Sequence, residues 1–139
     1  MAARSKARKR ALDILFEADA RAVPLGTVLA EQVRRRKTAG EDPLNDYTVT
    51  IVEGVRAHLA EIDATLVASA RGRTLERMPL VDRAILQVAV FEIAFAEDVP
   101  HAVAISEAVR LATDLSTDES PQFVNGVLAA VAASAQESS

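Results

Sequence analysis

The sequence predicts an all-α protein of about seven helices, and three observations lead there. Apolar residues recur along the chain at the i, i+3, i+4 spacing of amphipathic helices. Five glycines and five prolines in 139 residues are too few for a sandwich or barrel, which needs a turn every few residues. Half of the chain is hydrophobic but only 4% is aromatic, so the core is built from Ala, Val, Leu and Ile.

The first helix is expected from about Ser5 to Ala22, with Leu12, Leu15, Phe16 and Ala20 as its stripe and Pro24 just beyond its end. A second runs from about Pro24 to Arg36 on Val28, Leu29, Gln32 and Val33. It finishes in Arg34, Arg35, Arg36 and Lys37, cations that suit the negative end of a helix dipole. Residues 38–43 read as loop. Asn45 or Asp46 can cap a third helix holding Tyr47, Val49, Ile51, Val52 and Val55. A fourth pattern around His58, with Leu59, Ile62, Leu66 and Val67, ends near Arg71-Gly72, and a loop carrying Arg71, Arg73 and Arg77 closes at Pro79. Between Pro79 and Glu97 apolar residues cover nearly the full helical circumference, which marks a buried central pillar. Asp98-Val99-Pro100 breaks it. A sixth helix follows from Ala102 to about Thr113. The last enters at Ser120-Pro121, proline fitting a first position whose N–H needs no partner.

Several functions are disfavoured by composition. With no cysteine there is no disulfide framework, thiolate zinc site or cysteine nucleophile, which fits a reducing, cytoplasmic setting. No run approaches the ~18 apolar residues of a membrane span, and Asp13, Glu17 and Asp19 interrupt any secretory signal. His58 and His101 share no metal-ligand spacing and read as surface or cap residues. No glycine-rich phosphate loop, nucleophile elbow or zinc-protease motif is present. No catalysis and no cofactor are expected.

The most informative local feature is a basic arm. Arg4, Lys6, Arg8, Lys9 and Arg10 fall within the first ten residues, without an acid among them, on a chain of net charge −4. A basic terminal run is often a solvated tail. This one is contiguous with helix-forming Ala7, Ala11 and Leu12, so its charges would be displayed at fixed angles. Arg4 and Arg8, like Lys6 and Arg10, are four residues apart and could form two rows along a phosphate backbone. Cations at a helix N-terminus oppose its dipole by about 0.3–1 kcal/mol each, and a bound polyanion would reverse that penalty. Single-stranded RNA is the expected ligand, since arginine-rich segments that order on it are a known solution.

Ala7 to Phe16, Val81 to Leu86, Asp98-Val99-Pro100, Ile105 to Val109 and above all Phe123-Val124-Asn125-Gly126-Val127-Leu128 together resemble the bacterial antitermination factors of the NusB family, in family order and spacing. The start of the chain is most similar to the actinobacterial branch. The resemblance implies one domain over 1–139, divided into an N-terminal bundle with the basic arm (1–77) and a C-terminal bundle (78–139). It implies a non-catalytic factor that binds the boxA RNA of ribosomal-RNA leaders with the ribosomal protein NusE and meets RNA polymerase indirectly. Its RNA segment falls on Arg4, Ser5, Lys6 and Arg8, beside Lys9 and Arg10. Glu119, Ser120 and Phe123 would complete the RNA face, the aromatic ring stacking on a base. Phe16 and Asp82 match positions at the NusE interface.

Each residue also has a plainer role open to it. Phe16 and Phe123 lie on apolar stripes and could be core. Asn125-Gly126 reads as a packing device, glycine allowing close approach. Arg34 to Lys37 and the loop arginines could extend an RNA track or be solvated. An accessory domain of an rRNA cytosine methyltransferase and a helical protein–protein adaptor are the alternative functions. An exposed apolar face awaiting NusE could also support a homodimer.

Overall fold

The structure, a computed structural model, describes residues 2–70 and 72–138. Among them the chain forms seven α-helices and a short 3-10 turn, with no strand. Helix α1 spans Ala2–Arg21, so the whole basic arm is helical and continuous with the core stripe. It ends on Ala22 in the left-handed region (φ 55°), where the Val23 N–H reaches back to the Ala18 carbonyl at 3.0 Å. That conformation strains a residue with a Cβ by about 1–2 kcal/mol, and the turn sends the chain into Pro24 and α2.

Helix α2 (Leu25–Ala39) runs three residues past its expected end at Arg36. Gly40, at φ 69°, is where the chain adopts the left-handed cap that closes the helix, donating to the carbonyls of Arg36 and Lys37. Asn45 caps α3 (Asp46–Ala57), its side chain accepting from the Tyr47 N–H at 2.8 Å. His58 is the single joint between α3 and α4 (Leu59–Ser69): its N–H bonds the Gly54 carbonyl and its own carbonyl accepts from Ile62. Its ring stacks on Phe95 with centroids 3.9 Å apart. The expected loop of basic residues contains the 3-10 turn at Leu75–Arg77; Arg71 lies outside the described residues.

Helix α5 (Leu80–Phe95) is the central pillar the hydropathy pattern predicts. Every residue from Ala84 to Ile93 is buried, and the helix packs against α1, α3, α4, α6 and α7. Helices α6 (His101–Leu115) and α7 (Ser120–Ser138) complete the fold. Their buried side chains join those of α1–α5 in one connected aliphatic core. Gly54 lets α3 approach this pillar: a Cβ there would lie 2.0 Å from the Phe91 ring.

Candidate nucleic-acid interface

The helical phase of α1 divides its cations into two sets. Arg8 shares the buried stripe of Leu12 and Leu15, at i, i+4 and i+7. Lys6, Lys9, Arg10 and Asp13 occupy the opposite stripe and line a cleft of about 450 Å³ between α1 and α6. Ser5, Arg110, Leu111, Asp114 and Leu115 form the rest of its wall. Lys6 and Arg10 are exposed, and among the described residues neither makes a salt bridge. Lys9 pairs with Asp13 one turn on, at 2.7 Å, an exposed pair worth a few tenths of a kcal/mol and easily exchanged for a phosphate.

Arg8 is not displayed for a ligand, contrary to the expectation of two parallel rows. Its side chain is 4% exposed, its Nε donates to both oxygens of buried Glu92 at 2.9 and 3.0 Å, and a terminal nitrogen donates to Glu107 at 2.9 Å. The Tyr47 hydroxyl donates to the same Glu92 carboxylate, and Ser5 donates to Glu107. Arg110 closes the network on the second Glu107 oxygen at 2.7 Å. Burial works against the Arg8 charge, but the hydrogen bonds and attraction of Glu92 outweigh it and raise its pKa. Burial likewise resists the Glu107 charge, and the hydrogen bonds from Ser5 and Arg110 overcome it and hold the carboxyl below its ordinary value. Burial first, and then the bond to Glu92, pushes the Tyr47 phenol well up. Arg4 sits at the network's edge, bonded to Asp98 at 2.8 Å with its guanidinium 4.2 Å from the Tyr47 ring centroid.

Thr48 adds a further tie between α1 and α3, its hydroxyl donating to the Ala7 carbonyl at 3.0 Å. The arm is thus clamped along one side, and the other side faces the cleft.

Asp82 and Ser120 are also inward-facing, which corrects their expected placement on binding surfaces. Asp82 is 1% exposed and accepts from Ser116 at 2.5 Å and from Ser120 at 2.8 Å. Together they lock the turn between α6 and α7 onto the start of α5. Glu119, next to this lock, is exposed. Phe123 is half-buried against the core and carries the Arg73 guanidinium 4.4 Å above its ring. Phe16 is 38% exposed, so it is a surface aromatic rather than a core one. Asn125 is exposed and a Cβ at Gly126 would meet nothing within 4 Å, so this pair is no close-packing device.

The sequence held signals for residues it did not single out. Glu92 is an acid among the apolar residues Val88 to Ile93 of the pillar, and a buried carboxylate demands a cation. Glu107 and Arg110 stand three apart on α6, a spacing that brings side chains together. Nothing local pointed to Arg73 on Phe123, which depends on how the loop before α5 folds back. Among the described residues no group of three or more His, Asp or Glu could hold a metal ion, and no helix is long and apolar enough to cross a membrane.

Fold and cleft together define an all-helical protein that presents a cationic groove from a clamped helix. The chain belongs to the NusB family, whose model matches residues 5–133. The transcription antitermination protein NusB of Beutenbergia cavernae is 57% identical over 136 residues, covering 92% of this chain and 88% of that protein. The crystal form of T. maritima NusB superposes with a TM-score of 0.80 at 28% identity, over 94% of this chain and 90% of that one. The NusB fold is also shared with a chain of a crystal structure of antitermination factors NusB and NusE in complex with dsRNA. That likeness has a TM-score of 0.80 at 24% identity and covers 96% of this chain and 98% of that one.

Proposed function

We infer that this protein is a non-catalytic transcription antitermination factor that binds boxA-type RNA of ribosomal-RNA leaders together with NusE. Acting on nascent transcripts, it works in the cytoplasm and meets RNA polymerase through that assembly. Family membership supports the role, and the α1–α6 cleft is the observation that supports its mechanism. Lys6, Lys9 and Arg10, on a helix held by ion pairs of Arg8, converge there with Arg110 of α6. In this reading Lys6 and Arg10 contact phosphates directly, and Lys9 and Arg110 contact them by exchanging a carboxylate partner. Ser5 lines the cleft, Arg4 lies on the other side of α1 over Tyr47, and Arg8 positions the arm. Phe123, with Arg73 above it and Glu119 nearby, offers a ring face to a base. Phe16 is the exposed aromatic offered to NusE, while Asp82 and Ser120 act indirectly by fixing the α6–α7 turn.

The test is fluorescence anisotropy of a labelled single-stranded boxA RNA at two salt concentrations, with NusE added or withheld and an RNA duplex as competitor. Neutralising about four phosphates gives a log–log salt slope of about −3, and the double variant K6A/R10A should flatten it to about −1.5. NusE should tighten binding and the duplex should compete poorly. Affinity that ignores salt, or is unchanged in the double variant, would overturn this reading.

A further inference from the structure

A second surface lies apart from the arm. Helices α2 and α3 enclose a shallow groove of about 910 Å³ that shares no lining residue with the α1–α6 cleft. Its floor is aliphatic, formed by Leu29, Ala30 and Val33, and Val33 is 49% exposed, the second most exposed large apolar side chain among the described residues after Val67. Its rim is cationic, formed by Arg34, Lys37 and Arg56. Glu53 is the single acid in the lining, and it already pairs with Arg56 at 3.4 Å. Arg34 and Lys37 make no salt bridge among the described residues, and nearby Glu31 pairs with Arg21 at 2.9 Å.

We propose that this groove docks an acidic amphipathic helix of a protein partner. The charge pattern selects the occupant. An aliphatic floor receives apolar side chains at i, i+3, i+4 and i+7 of a helix laid in the groove, and the rim pairs with carboxylates flanking that stripe. RNA fits less well, since non-specific single-strand binding uses aromatic faces on which bases stack, and the lining has none. A basic partner is excluded by the rim. The site is independent of the RNA cleft, so both could be filled at once.

The probe is a designed helical peptide with leucine at i, i+3, i+4 and i+7 and glutamate at the flanking positions. A version with every glutamate replaced by lysine and an oligouridine RNA are run in parallel. Each is titrated into the isotope-labelled full chain and followed by amide chemical shifts. The acidic peptide should shift amides of residues 26–37 and 53–56, with affinity falling as salt rises. The Val33→Asp variant should weaken it by about tenfold or more, as loss of a buried valine contact implies. Val33 is half exposed, so the fold survives that change, which an unchanged melting temperature verifies. The pair R34E/K37E should reverse the preference toward the lysine peptide. K6A/R10A should leave peptide binding intact, so failure of the RNA reading and failure of this one are distinguishable. No shift in the groove, equal binding of the two peptides, or groove shifts produced by oligouridine alone would each overturn the proposal.

Discussion

Gly54 and Gly126 both lie inside helices, where glycine is about 0.5–1 kcal/mol less favourable than alanine. Their surroundings set opposite outcomes for the same substitution. At Gly54 a Cβ would lie 2.0 to 2.7 Å from three atoms of the Phe91 ring, itself buried between α3 and α5. Gly54→Ala must push the ring or the helices apart and should destabilise the fold by about 1–3 kcal/mol. At Gly126 the same Cβ meets nothing within 4 Å, so Gly126→Ala should gain about 0.5–1 kcal/mol of helix propensity. Urea denaturation of the two variants reads both signs. Equal effects, or a stable Gly54→Ala, would show that α3 does not press on the pillar as described. The contrast also explains why the Asn125-Gly126 pair misleads as a packing device. A sequence shows that a glycine interrupts a helix but not which face it occupies, and this one faces open space.

At the scale of elements, the stripes of all seven helices were legible because each buries one face, and period 3.6 is visible without knowing the partner. Helix ends were legible where a cap is chemical, as at Asn45, and were missed at α2, whose closure waits for Gly40. The candidate site was legible as an arm but not as a geometry. The phase that buries Leu12 and Leu15 also buries Arg8, yet composition counted it with its neighbours. Asp82 and Ser120 could not be sorted from surface residues, because their mutual bond joins segments 38 positions apart. The α1 clamp follows from this sorting and can be measured. Arg8→Ala leaves Glu92 buried without its ion-pair partner and Glu107 with one cation fewer, and should destabilise by about 3–5 kcal/mol. Arg8→Lys keeps the charge but loses the planar fork, and should recover only part of that. Lys6→Ala and Arg10→Ala, on exposed positions, should stay within about 0.5 kcal/mol of the parent. Chemical denaturation separates the two classes, and a tolerated Arg8→Ala would mean the arm is held by something other than this network.

The molecule as a whole is acidic but segregates its charge, with cations facing the α1–α6 cleft and the α2–α3 groove while acids hold the arm from behind. Such an arrangement steers anionic ligands to these two surfaces while the remaining acidic surface disfavours unspecific contact. It also makes the arm's attachment sensitive to acid. Glu107 has a folded pKa below its unfolded value of 4.5, burial opposing the charge but the hydrogen bonds of Ser5 and Arg110 prevailing. Asp98, bonded to Arg4, is shifted in the same direction from 3.8. A carboxyl with a lowered folded pKa contributes stability that is fully present above its unfolded value and is lost as pH falls through the folded one. The melting temperature should therefore hold from neutrality to about pH 5 and fall steeply below about pH 4. Glu107→Gln removes the titrating group, so its melting temperature should start lower at neutral pH and decline less on acidification. The two curves should converge at low pH. Thermal melts across that range decide the matter: if the Glu107→Gln curve runs parallel to the parent's, the acid limb belongs to other carboxyls and the network does not govern how firmly the arm is held.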